Sequence, residues 1–432
     1  MGLTTHMPDR KTAPHIKDAV EYGISLKKPE VFTLDNGVSV YNVNAGTEEV
    51  VQIEWVFKAG NWYEKQKNIS SATNFLIKNG TSKKTAYEIN EFVDFYGAYL
   101  NRTCYNETAV VTLHCLTRQL EYLLPVVQEL FLDAVFPESE LQIFKQNMKQ
   151  KLAVNLQKCD FIAGRQIDEI LFGIKHPYGV YSELADYDLI DTIEIKKYYE
   201  HYYKKGHCTI FSAGILPLNY AQLLNKFFGS IPFNQVALEE PSHLIMPSEQ
   251  KKFNVVNDEN GVQGAIRIAR PFPTRVHPDF PKVQVLNALF GGFFGSRLMN
   301  NIREDKGYTY GIYSFLVNHI HAGAWMISTE AGRDVCEATI SEVYYEMEQL
   351  RNGDIDPEEL LLVKNYLIGT LLGDLDGPFQ IIGRWKNLIL NGLDDSFFYK
   401  SVDTIKNINA DELKELAKKY LNPDEFYELT VV

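Results

Sequence analysis

ISSATNFLIKNGT, residues 69–81, reads as an amphipathic helix that closes on a glycine. Apolar Ile69, Ala72, Phe75 and Leu76 fall at i, i+3, i+6 and i+7, and Gly80 stands where a left-handed C-terminal cap belongs. Ser70, Ser71, Thr73 and Asn74 fill the gaps, all small, polar and uncharged. Upstream, VFTLDNGVSVYNV reads as two strands about a DNG turn, and VVQIEWVFKAG as a third, alternating strand. Downstream comes a second helix over residues 86–96, with Thr85 and Glu88 as its capping box and Gly97 as its stop. Strand patterns AYLNRTC and TAVVTLHC follow, then long amphipathic helices over 119–133 and 139–157.

The same order recurs further along. FNVVN and GAIRIAR are strand-like, helices follow over 280–290 and 296–304, and GYTYGIYSFLV and AWMISTEAG read as strands. Long helices are expected over 336–350 and 357–371, with Asp356 and Pro357 as N-cap and first helical residue. LIDTIEIKKYYEHYYKKGHCTIFSAG matches SVDTIKNINADELKELAKKYLNPDEFYELTVV: a helix, then a final strand. The pattern predicts two duplicated α+β domains, each a mostly antiparallel sheet with helices on one face. Their expected extents are residues 1–240 and 250–432, with the join in QVALEEPSHLIMPSEQKK, residues 235–252. A solenoid is excluded, because repeats in those arrays run only ~20–50 residues.

At 432 residues the chain has room for two or more domains, and 45% hydrophobic residues supply their cores. The formal net charge is −13, and no Lys/Arg cluster lacks interleaved acids, so nucleic acid and anionic membranes are poor partners. A cationic or peptide-like partner is compatible with that charge. Five scattered cysteines, odd in number and without a CxxC pair, indicate reduced thiols. MGLTTHMPDRKTAPHIKDAVEYG has no apolar signal core, and no later run approaches ~18 apolar residues, which predicts a cytoplasmic protein with no membrane span.

Four stretches resemble the M16 (insulinase/pitrilysin) zinc peptidases, in particular the short two-domain M16B type that includes mitochondrial processing peptidase subunits. They are KAGNWYE, NGTSKKTAYEINEFVDFYGAYLN, LFGIKHPYG and GGFFGSRLMNNIREDKGYTYG. Active members carry HxxEH on the helix that here is residues 69–81. Two His at i and i+4 share a helical face and bind zinc, and the Glu between them takes a proton from the zinc-bound water. Counted back from Gly80 and Thr81, the His positions fall on Ser71 and Phe75 and the Glu position on Asn74. The family's third ligand, a Glu some 75 residues on, has no match in KLAVNLQK near Asn155. The resemblance thus implies a zinc-less, non-catalytic member, inactive as a peptidase on its own.

It also implies an Arg and a Tyr that face the zinc site across a chamber, matched here by Arg303 and Tyr310 in IREDKGYTY. An Arg at a helix end and a Tyr opening the next strand can aim two donors at one oxyanion. The expected role is a silent subunit that pairs with a zinc-bearing M16 paralogue and lends it Arg303 and Tyr310. The chain itself needs no cofactor, and the substrate is a peptide added as a strand to a sheet edge. The rival readings are a structural core subunit and a homodimer that binds peptide without catalysis.

Other signals are weaker. GGFFGS lacks the spacing and Lys of a phosphate loop and reads as a tight turn between helices. It is also shorter than the glycine-rich loop of the non-catalytic processing-peptidase subunit. His319 and His321 alternate onto one strand face but have no third ligand in view. YYEHYYKK reads as an amphipathic helix with half-buried tyrosines, with Asp191 and Glu194 as cap and first-turn acids.

Overall fold

A computed structural model describes residues 17–237 and 239–432. The first half contains β1 (Glu30–Thr33), β2 (Ser39–Asn44), β3 (Val50–Phe57), α1 (Ile69–Leu76), α2 (Ala86–Phe95), β4 (Tyr99–Cys104) and β5 (Ala109–Leu116). It continues through α3 (Leu120–Asp133), α4 (Glu138–Asn155), α5 (Cys159–Phe172), α6 (Thr192–Tyr199), β6 (Cys208–Gly214) and α7 (Tyr220–Phe228). Its six strands lie in the order β1-β2-β6-β3-β5-β4, antiparallel except for β2 on β6.

The second half contains β7 (Lys252–Val255), β8 (Gln263–Phe272), α8 (Phe280–Asn287), β9 (Thr309–Asn318), β10 (Gly323–Gly332), α9 (Cys336–Asn352) and α10 (Pro357–Gly373). After α11 (Pro378–Leu390), α12 (Asp395–Asn407) and α13 (Ala410–Tyr420), it ends in β11 (Tyr427–Val431). The sheet order is β7-β11-β8-β10-β9, with β11 on β7 the parallel pair. Two mostly antiparallel sheets with helices, one in each half, are the duplicated α+β architecture that the strand and helix order predicts.

One face of each sheet packs on helices of its own half. In the first, Trp55 and Phe57 of β3 meet Phe131 of α3, and Trp55 lies 5.0 Å from Phe228 of α7. In the second, the buried Trp325 of β10 packs among Phe272 and Phe290. Strand alternation sends the intervening side chains the other way, and there each sheet meets a helix from the opposite half. Ile382, Trp385 and Leu388 of α11 cover Val56, Val110 and Phe211 of the first sheet. Ala163, Ile167, Ile170 and Leu171 of α5 cover Ala265, Ala269, Ala324 and Leu429 of the second. The alanines of β8 and β10 let α5 approach closely, and each fully buried Ile or Leu contributes about 1.5–3 kcal/mol. Trp385 fastens α11 further by donating Nε1–H to the Lys27 carbonyl at 2.8 Å.

Several local expectations hold and others shift. Thr85 and Glu88 form both bonds of a capping box, and the side chains of Asp191 and Asp356 cap α6 and α10. Helix α1 stops at Leu76 rather than at Gly80, whose φ of +142° serves an isolated bridge to Thr85. The helices expected over 280–290 and 296–304 are widened to π geometry at Ala288–Gly292 and Met299–Asp305. The tyrosine-rich run widens likewise at Glu200–Lys204, and Tyr198, Tyr199 and Tyr203 are buried rather than half-buried. Among the described residues no helix is long and apolar enough to cross a membrane.

Candidate functional site

Helix α1 begins from an unusual cap. Asn68 adopts a left-handed backbone (φ +70°), and the carboxylate of Glu64 reaches over to collect the free donors of the first turn. It accepts from the backbone N–H of Asn68 at 3.1 Å and of Ser70 at 3.0 Å, and from the Ser70 hydroxyl at 2.7 Å. Burial raises the Glu64 pKa, and the bonds from Ser70 and Asn68 oppose that rise. Glu64 ends KAGNWYE, but nothing in that stretch alone shows that its carboxylate turns back onto the helix.

The three positions compared with HxxEH lie on this helix. Ser71 Oγ donates to the Asn68 carbonyl at 3.1 Å. Asn74 is buried, and its Nδ2 has no hydrogen-bond partner among the described residues. Phe75 packs its ring 5.1 Å from Phe144 of α4. The guanidinium of Arg102, on β4, lies 4.4 Å over the same ring, and its Nε donates to the Phe75 carbonyl at 2.5 Å. A hydroxyl already bonded to its own helix, an amide, a phenyl ring and an adjacent cation do not suit a zinc dication. Among the described residues no three His, Cys, Asp or Glu side chains converge as a metal site. Beside α1 opens a cavity of about 390 Å³ lined by Asn61, Glu64, Lys67, Ser70, Ser71 and Cys104, among others.

Arg303 and Tyr310 come together in the second half. Arg303 stands on the π-widened turn Met299–Asp305 and Tyr310 near the start of β9, the outer strand of its sheet. A register shift against β10, between Thr329 and Ala331, gives β9 an extra residue here, the kind of bulge that re-aims a side chain. Tyr310 is 92% exposed. The Arg303 guanidinium lies 5.4 Å from the Tyr310 ring and 4.6 Å from that of Phe294, and its Nη1 donates to Glu304 at 2.7 Å. No hydrogen bond or ring contact among the described residues joins this pair to Ser71, Asn74 or Phe75.

His319 and His321 lie in the turn between β9 and β10, not on a strand, and they stack on different rings. His319 lies 3.9 Å from the ring of Tyr178, and His321 lies 4.0 Å from that of Trp62. Trp62 also meets His176 and His243 edge-on. Glu107 accepts from the Tyr178 hydroxyl and, at 3.2 Å, from the Ile320 N–H. The turn is therefore a plug that seats the second half on the rim of the first, and its imidazoles are spent on aromatic packing rather than on a metal.

Two α+β halves, each sheet covered partly by the other half, with a helix bearing the HxxEH positions in one and an Arg/Tyr corner in the other, define a metallopeptidase-like fold. The family models agree. Residues 39–176 match Insulinase (Peptidase family M16), and residues 190–367 match Peptidase M16 inactive domain. The chain belongs to the M16 family. It is 25% identical over 406 residues to "Uncharacterized zinc protease YmxG" of Bacillus subtilis, covering 91% of this chain and 96% of that one. It is 24% identical over 242 residues to "Probable inactive metalloprotease YmfF" of the same organism, covering 55% of each. The peptidase M16 inactive domain from Pseudomonas fluorescens has the same fold, with a TM-score of 0.83, 22% identity, and coverage of 94% of this chain and 98% of that one.

Proposed function

We propose that this chain is a catalytically silent M16 subunit that pairs with a zinc-bearing paralogue and supplies Arg303 and Tyr310 to the partner's site. One contrast within the chain carries the reading. The helix that holds the metal in active members here presents Ser71, Asn74 and Phe75, while Arg303 and Tyr310 stand adjacent, Tyr310 in solvent and Arg303 partly covered. A chain that binds no zinc of its own has no use for an oxyanion donor pair unless the reacting carbonyl lies on another chain's metal site.

In this role the peptide lies between two such chains. The guanidinium of Arg303 and the hydroxyl of Tyr310 donate to the oxygen of the scissile carbonyl as it gains negative charge. Among the described residues β4 is an edge strand of the first sheet, so its free backbone groups can accept an extended peptide as an added strand. That mode gives sequence-tolerant affinity.

The test is co-expression with an HxxEH-bearing M16 paralogue and assay of a fluorogenic peptide by the wild-type, Arg303→Ala and Tyr310→Phe complexes. The reading expects assembled complexes with lowered turnover in both variants. Equal rates in all three would favour a scaffold or a peptide-binding homodimer, and failure to assemble would make the pair a packing element.

A further inference from the structure

Arg102 lies over the ring of Phe75, at the place where active members hold a dication, and Lys78 is close enough to feel its charge. Arg102 spends its Nε on the Phe75 carbonyl at 2.5 Å, and Lys78, three residues further along the chain from Phe75, donates to the Leu100 carbonyl at 3.2 Å. Both acceptors are neutral. Neither cation has an ion pair within 4 Å among the described residues, although the chain carries 56 acidic against 43 basic residues. Burial pulls Arg102 down to about 10 and Lys78 to about 8, and Arg102 pushes Lys78 in the same direction. Tyr99 opposes the shift at Arg102 and Asp94 opposes it at Lys78. Two half-buried positive charges, neither in an ion pair, carry a desolvation cost that Asp94 offsets only in part at Lys78.

A cavity lies close by, lined by chain neighbours of Arg102 and Phe75 rather than by Arg102, Lys78 or Phe75 themselves. Residues two apart on a strand share a face, so Arg102 stands beside Cys104; residues four apart on a helix do too, so Phe75 stands beside Ser71. Cys104 and Ser71 both line the 390 Å³ cavity next to α1. With Nε engaged, the two Nη groups of Arg102 remain for a planar, two-oxygen acceptor.

We propose that Arg102 and Lys78 form a carboxylate-binding site beside α1 that takes an acidic side chain or the C-terminal carboxylate of a bound peptide. The identity of the ligand rests on the peptide-binding reading above; the site itself does not. A position that in active relatives attracts carbonyl oxygen through a metal here attracts carboxylate through two side chains, and it repels a metal ion.

The experiment uses the full chain and a labelled extended peptide in four forms: one internal Glu or its Gln counterpart, each with a free or an amidated C-terminus. Wild type should prefer an acid form by about 10- to 100-fold, the range of a charge-assisted hydrogen bond. Which acid is preferred identifies the source of the carboxylate. Arg102→Met and Lys78→Met should each shrink that preference while leaving the affinity of the Gln, amidated peptide unchanged. Lys78→Met is the safeguard should loss of the Arg102 bond to α1 impair folding. Equal binding of all four peptides by wild type, or a preference that survives both substitutions, would overturn the site. If no peptide binds at all, the peptide-binding reading fails separately and glutarate alone decides. A glutarate-dependent shift of the Arg102 Nε–H resonance, weakened by Lys78→Met, sustains the site, and no shift ends it.

Discussion

The helix pairs that open the two halves handle polar side chains in opposite ways. On α1 they turn back onto the protein: Ser70 to Glu64, Ser71 to the Asn68 carbonyl, and Thr73 to the Ile69 carbonyl at 2.7 Å. In the second half Arg303 leans across Phe294, itself 60% exposed, and Tyr310 stands almost wholly in solvent. The first arrangement removes chemistry while keeping a helix. The second keeps donors in a posture that does little for folding. The contrast is one of degree, since Asn74 Nδ2 on α1 has no partner among the described residues and Arg303 Nη1 is bonded to Glu304.

The largest effect should come from breaking the second region. In a complex with a zinc-bearing paralogue, Arg303→Ala or Tyr310→Phe should lower turnover by roughly 10²–10³, the cost of one oxyanion donor. Tyr310→Phe should keep thermal stability within about 0.5 kcal/mol, as for exposed substitutions, and Arg303→Ala, whose partly covered side chain packs on Phe294, should cost more than that. Turnover and melting temperature measured on the same samples separate the two.

A core position gives the reverse signature. Ile167 of α5 is fully buried against the second sheet, so Ile167→Ala should cost about 2–5 kcal/mol. Denaturant unfolding measures it, and a loss below 1 kcal/mol would show that α5 adheres only loosely.

The plug between the halves supplies a pH test. Burial, then His243, His319 and His321, lower the His176 pKa from 6.5 to about 4. The folded state therefore favours neutral imidazole. The stability this contributes is complete above pH 6.5 and disappears as the pH falls toward 4. Melting temperature should decline over that window more steeply in wild type than in His176→Gln, and parallel curves would dismiss the contribution.

The smallest expected effect is no effect at all. Ser71→His, Asn74→Glu and Phe75→His combined should not create a tight zinc site, because Arg102 adjoins the ring position and KLAVNLQK offers no third acid. Metal analysis finding one zinc per chain would blur the contrast between the two regions.

Much of this was legible from residue patterns. The DNG turn, the Thr85 and Glu88 box and the Asp356 cap are local signals, and each lands within a residue or two, whereas the alternation read in β3 gives way to burial of both faces from Ile53 to Phe57. Helices α5 and α11 were not read, although Ala163, Ile167, Ile170 and Leu171 follow helical spacing, as do Ile382, Trp385 and Leu388. Their apolar faces match sheets in the other half, and a sequence shows that a stripe exists but not what it covers. The π-widened turns escaped notice because the i+5 bonds that make them leave no residue signature. At the site, the pairing of Arg303 with Tyr310 could be anticipated from the motif. The cation over Phe75 could not, since Arg102 lies 27 positions away and meets α1 only through the fold.

The exchange of α5 and α11 has a consequence for synthesis. The last strand of the first sheet, β6, ends at Gly214, but the helix that shields that sheet's outer face ends at Leu390. At about 5–20 residues per second, the ribosome needs on the order of 10–40 s to deliver it. Through that interval Val56, Val110 and Phe211 line an apolar face with nothing over it. The nascent chain is therefore expected to need shielding of that face until α11 emerges, and a chain truncated between β6 and α11 is expected to aggregate where the full chain does not.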